Sequence, residues 1–103
     1  MADRIAQLQS ILQAEPNDTF CLYGMAMELA KAGRHDEAIE YFDRTLAVDP
    51  KYCYAYFHKA KSQEEAGWKD AATETLRTGL AEARSIGDIK ASSELEGYLD
   101  QLE

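Results

Sequence analysis

The residues able to do chemistry are few and scattered. Cys21 and Cys53 are the only thiols, and His35 and His58 the only imidazoles, in a chain of 103 residues. A metal site needs such ligands at close, face-sharing spacing. Cys53 and His58 stand five apart, which turns them to different faces of a helix, and His35 falls in a different segment. Both cysteines lie near expected helix starts, where the helix dipole can activate a thiol. The competing reading, a small hydrophobe in a packing seam, fits them better. Asp36, Glu37, Glu40 and Asp43 read as a solvated helix face with its cap. No glycine-rich phosphate loop and no nucleophile elbow is present, and no acid is paired with a histidine. The expectation is a protein that is not an enzyme, with no catalytic residue, no metal and no cofactor.

The elements that carry these residues follow from composition and pattern. Apolar residues make up 46 % and charged residues 29 % of the chain, the profile of one globular domain. The net charge of −8 repels phosphate backbones and anionic lipid, so neither nucleic acid nor a membrane is an expected partner. No apolar run approaches the length of a membrane span. Polar residues break every apolar cluster of the opening stretch MADRIAQLQSILQAEP, so no signal-peptide core is read there. Two cysteines make no disulfide framework, and a reducing cytoplasm is the expected setting.

The chain repeats itself with a period of 34. Pro16 and Pro50 lie at that offset, after the similar stretches LQAEP and LAVDP. Gly33 falls on Gly67, Ala38 on Ala72, Phe42 on Leu76, Leu46 on Leu80 and Leu22 on Tyr56. Within one unit, Leu22, Met25, Ala26 and Leu29 fall at i, i+3, i+4 and i+7, one stripe of a helix. Gly33 supplies a left-handed stop, and Asp36 is placed to cap a second helix that turns Ala38, Ile39, Phe42 and Leu46 inward. Asp49-Pro50 ends that helix. Gly67 and Asp70 repeat the stop and the cap, the helix that follows runs to about Ile86, and Gly87-Asp88 stop it and cap a last one. Ala91, Leu95, Tyr98, Leu99 and Leu102 form the last apolar stripe. The alternating aromatics of Tyr52 to Phe57 suggest a strand at first sight. With Pro50 just ahead and no partner strand in the pattern, they read as the start of a helix.

These positions resemble the tetratricopeptide repeat, whose signature is W-x2-L-G-x2-Y, A-x3-F and P. Residues 19–52 give Leu22-x2-Met25-Ala26-x2-Leu29, then Ala38-x3-Phe42, then Pro50. Residues 53–86 give Tyr56-x2-Lys59-Ala60-x2-Gln63, then Ala72-x3-Leu76, departing from the pattern at Lys59, Gln63 and Arg84. The resemblance implies an all-α superhelix of helix-turn-helix repeats, repeat 1 at 19–52 and repeat 2 at 53–86. Residues 1–16 are then an N-terminal capping helix and 88–102 a C-terminal one.

At about 100° per residue, Phe20, Tyr23 and Met27 lie about 100 to 160° from Leu22 and form a second apolar stripe. On the helix from 53, Tyr54, Phe57 and Lys61 form the matching stripe. By the resemblance, Tyr56 holds the family's tryptophan position and is core. Tyr54 and Phe57 sit where such domains commonly contact peptides. The family's clamp for a terminal carboxylate would occupy Tyr23, Met27, His58 and Lys61. Only Lys61 is a cation there, so that specificity does not carry over, though His58 and Lys61 can attract an acidic group. The expected binding groove is therefore Phe20, Tyr23, Met27, Tyr54, Phe57, His58 and Lys61, and the expected partner a protein or peptide. Two other readings stand beside it: the last helix covers the stripe, or two copies bury it in a weak homodimer. Trp68, after Gly67, is expected to plug the space between hairpins.

Overall fold

The computed structural model describes residues 3–103. Among them it holds six helices and no strand: α1 Arg4–Ala14, α2 Thr19–Lys31, α3 His35–Val48, α4 Cys53–Glu65, α5 Lys69–Ser85 and α6 Ile89–Leu102. The helix expected over 1–16 is α1; its positions 1 and 2 lie outside the described residues. The aromatic stretch opens α4, not a strand. Consecutive helices pack as antiparallel pairs, and α2 also touches α4, as α4 touches α6. The odd-numbered helices make no such contacts with one another. Two rows result, and the stack curves toward the row whose members meet. The inner, concave face therefore belongs to α2, α4 and α6. This is an all-α superhelix of helix-turn-helix units.

Local sequence sets the ends of the helices. Gly33, Gly67 and Gly87 take φ of 79°, 91° and 73°, the left-handed region that glycine enters without a Cβ clash. Each turn is closed by a backbone bond from the following residue to the carbonyl five back, as from Arg34 N–H to Leu29 O at 2.9 Å. Asp18 and Asp88 cap α2 and α6, accepting from Cys21 N–H at 3.1 Å and Ala91 N–H at 3.0 Å. Asp36 and Asp70 do not cap, contrary to expectation. The chain enters α3 and α5 directly after the glycine, so Arg34 and Trp68 take the cap positions without a side-chain cap bond. Asp36 and Asp70 lie two residues too deep and act in the first turn, on the helix dipole. Trp68 is half exposed rather than a plug. Its N–H bonds Gln63 O at 2.8 Å, and the indole is left at the outer edge of the turn.

The interior forms two clusters. One joins α1, α2 and α3 through Leu8, Leu22, Met25, Leu29 and Phe42; the other joins α4, α5 and α6 through Tyr56, Leu76, Leu80, Leu95 and Leu99. Leu46 packs against both. Cys21 and Cys53 are buried, one in each cluster. Burial pushes both thiols above their usual pKa, the opposite of an activated nucleophile.

The departures of α4 from an apolar pattern are met by specific partners. Lys59 reaches Asp43 of α3 at 2.7 Å. Buried Gln63 accepts from Thr75 Oγ1 of α5 at 2.7 Å. Buried Ser62 lies 3.2 Å from His35 Nδ1 at the start of α3. Tyr56 packs on Gly79 so closely that an added Cβ would stand 2.5 Å from its own Cβ. Its hydroxyl donates to Pro50 O at 2.9 Å.

Two outcomes follow. Gly79→Ala, which favours an isolated helix by about 1 kcal/mol, should instead destabilise the protein by about 1–3 kcal/mol through overpacking on Tyr56; denaturant unfolding reads the sign. Thr75→Val should cost about 1–3 kcal/mol by stranding the Gln63 amide, and adding Gln63→Leu should recover most of that loss in a double-mutant cycle.

Candidate functional site

The inner row carries a run of rings that crosses three helices. Tyr23 of α2 meets Phe42 edge-on at 6.1 Å between centroids and Tyr52 at 4.7 Å. It also meets His58 of α4 at 6.1 Å. His58 lies 5.3 Å from Phe57, and Phe57 lies 5.2 Å from Tyr98 of α6. Such edge-on and tilted pairs are each worth about 0.5–1.5 kcal/mol beyond burial. Phe42 is fully buried, whereas Tyr23, Phe57, His58 and Tyr98 are only half-buried. The run thus starts in the core and surfaces along the concave face.

Two clefts flank α4 on this face. The first, about 620 Å³, lies between α2 and α4 and is lined by Met27, Lys31, His35, His58, Lys61 and Glu65 among others. The second, about 390 Å³, lies between α4 and α6 and is lined by Phe57, Lys61, Glu64, Glu94, Gly97, Tyr98 and Gln101. Lys61 borders both and makes no ion pair among the described residues.

Of the seven residues expected at a groove, Met27, His58 and Lys61 share the first cleft, while Phe57 and Lys61 share the second. Tyr23 supports the first from within the ring network. Tyr54 is half-buried against the α4–α6 cluster. Phe20 stands apart: it is 70 % exposed at the start of α2, lines neither cleft and makes no ring contact. The last helix covers part of this stripe: its Tyr98 lies against Phe57 and its Glu94 beside Tyr54. It takes the next place in the inner row after α4 and forms one wall of the second cleft.

Burial governs the titrating groups here. It pushes the Tyr23 hydroxyl up to about 12, with the neighbouring Tyr52 and Tyr54 adding to the shift. Burial, then Lys61, lower the His58 pKa, so the imidazole is neutral at pH 7. Tyr98 Oη donates to Glu64 at 2.5 Å, and desolvation, followed by that bond, raises its pKa steeply. Burial, then the adjacent Glu94 carboxylate, raise that of Tyr54.

Sequence reasoning missed Tyr98, Glu64 and Glu94. Tyr98 was grouped with the buried stripe of α6, whose Ala91, Leu95, Leu99 and Leu102 are indeed buried. The inner helices begin at Thr19, Cys53 and Ile89, so a spacing of 34 is followed by 36. The last helix, expected at 88–102 as a cap, continues the inner row. The contact of Tyr98 with Phe57 comes from how α6 packs on α4, which no offset along the chain displays.

Comparison with known proteins gives the architecture its place. The tetratricopeptide repeat model matches residues 20–52. A TPR repeat-containing protein of Pseudomonas aeruginosa is 27 % identical over 99 residues, spanning 96 % of this chain and 94 % of that protein. The solution structure of a tetratricopeptide repeat domain protein from Salinibacter ruber matches with a TM-score of 0.79 and 32 % identity, over 85 % of this chain and 89 % of that one. The TPR2B domain of yeast Sti1, solved as a complex with pHsp70, gives a TM-score of 0.87 over 95 % of this chain and 78 % of that one. At 21 % identity that likeness concerns the fold alone. A shared period, a shared fold and nearly a third of residues in common over most of both chains make one conclusion: this chain belongs to the tetratricopeptide repeat family.

Proposed function

We propose that this chain is a non-catalytic protein-interaction module that holds a peptide or helix of a partner on the concave face of α2, α4 and α6. The observation that supports the reading is the ring run from Tyr23 to Tyr98, whose members pack on the core clusters with one side and stay half-exposed along the concave face. Half-buried aromatic and methionine side chains offer large contact area at modest entropic cost. Seating one fully against a partner contributes about 1.5–3 kcal/mol, so three or four support micromolar binding after association costs. The TPR2B domain of yeast Sti1, of similar fold, was solved as a complex with pHsp70, which supports reading this fold as one that holds a protein partner. The described helices are too short and polar to cross a membrane, and the proposed setting is the cytoplasm.

The groove is assigned to Tyr23, Met27, Tyr54, Phe57, His58 and Lys61, with Phe20 at its outer edge. A second reading is favoured by Phe20 itself. Phe20 is 70 % exposed, so a second copy could bury it together with the neighbouring stripe. Sedimentation over a concentration series decides between them, since a strict monomer excludes the homodimer.

Phe57→Ala should remove partner capture while lowering stability by less than half the loss from Phe42→Ala, which is expected at about 3–5 kcal/mol. Tyr23→Ala, half-buried against Tyr52 and Phe42, should fall between the two in stability and also lose capture. Denaturant unfolding beside an affinity pull-down gives both numbers. Equal stability costs for Phe57→Ala and Phe42→Ala would make the rings core and end the groove reading.

A further inference from the structure

The two clefts differ in charge, and the difference specifies a ligand. In the α2–α4 cleft the fixed charges balance: Lys31 and Lys61 face Glu28 and Glu65. Glu28 is moreover occupied, 3.6 Å from Arg4 and 3.7 Å from Lys31. In the α4–α6 cleft two carboxylates, Glu64 and Glu94, outnumber the single Lys61. Both carboxylates stand beside an aromatic wall. Tyr98 Oη fixes one oxygen of Glu64 at 2.5 Å, leaving the other free to accept. The wall is the Phe57–Tyr98 pair, 5.2 Å apart with planes inclined by 55°, and both rings line the cleft. The whole chain adds a background charge of −8.

Resting on the reading of this face as a partner-binding surface, we propose that the α4–α6 cleft seats an arginine side chain of the bound segment. Its guanidinium stacks on Phe57 and Tyr98 and bonds to Glu64 and Glu94. A planar cation gains from the aromatic face and from the carboxylates at once. Arginine fits better than lysine because its flat fork stacks and pairs in the same pose. Lys61, exposed and without an ion-pair partner, is the one opposing charge. Its long side chain can turn toward Glu65 in the neighbouring cleft it also borders. The specificity is thus opposite in sign to a clamp for an acidic terminus.

The test uses three capped peptides, Ala-Leu-X-Leu-Ala with X as arginine, citrulline or glutamate, titrated into the full chain and followed by amide NMR. The arginine peptide should shift the Phe57, Lys61, Gly97 and Tyr98 signals and bind at least about tenfold tighter than the citrulline peptide, which keeps the shape but lacks the charge. Glu64→Gln and Glu94→Gln should each lower that preference about three- to tenfold with unchanged thermal unfolding, and Lys61→Ala should raise it. If all three peptides shift the same inner-row signals equally, the arginine site is wrong while the binding face stands. If none shifts any inner-row signal, both readings are overturned.

Discussion

Each helix in this chain is apolar on one side only, and a single hairpin cannot cover both of its helices. That constraint organises everything else. Burial requires a neighbour on each side, so the helices stack; the stack has an inside because α2, α4 and α6 meet while α1, α3 and α5 do not. Positive-φ glycines make the turns short enough for the rows to align. The helices at the two ends turn polar and charged residues outward, such as Arg4, Gln7 and Gln13 on α1 and Lys90, Glu96 and Asp100 on α6.

Within that scheme, α4 is the least ordinary helix. Lys59, Ser62 and Gln63 stand where packing alone would favour apolar side chains. Each has been given one partner: Asp43 and His35 on α3, Thr75 on α5. A buried polar pair adds little net stability but penalises any misalignment heavily, since a stranded amide or hydroxyl costs more than the bond provides. Of the three, only the Gln63–Thr75 pair is buried, so it is the one whose main effect is on register, holding α4 at one height against α5. The close seat of Tyr56 on Gly79 fixes the same helix from behind.

Much of this was legible in the residues. The 34-residue period, the glycine stops and the stripes of Leu22 and Phe42 all follow from spacing along one segment, and spacing is what a sequence displays. The caps of α3 and α5 were misplaced because Asp36 and Asp70 are good capping residues two positions too far in; where a helix starts depends on how the preceding glycine aims the chain. The partners of Lys59 and Gln63 lie on other helices, so the two residues could be seen only as departures. Tyr98 was misassigned for the same reason: its spacing from Leu95 and Leu102 fits the buried stripe, while the neighbours that leave it at the surface, Phe57 and Glu64, lie on α4. Trp68 looked like core because of its size, yet its place at a turn exposes it.

The two sulfhydryls have a use that concerns neither chemistry nor packing. Cys21 belongs to the cluster of α1–α3 and Cys53 to that of α4–α6, and both are shielded. A soluble alkylating reagent reaches either one only while its surroundings are transiently open. The molecule thus carries a separate built-in reporter for each half, and the ratio of the two labelling rates tells whether the halves breathe together or one at a time.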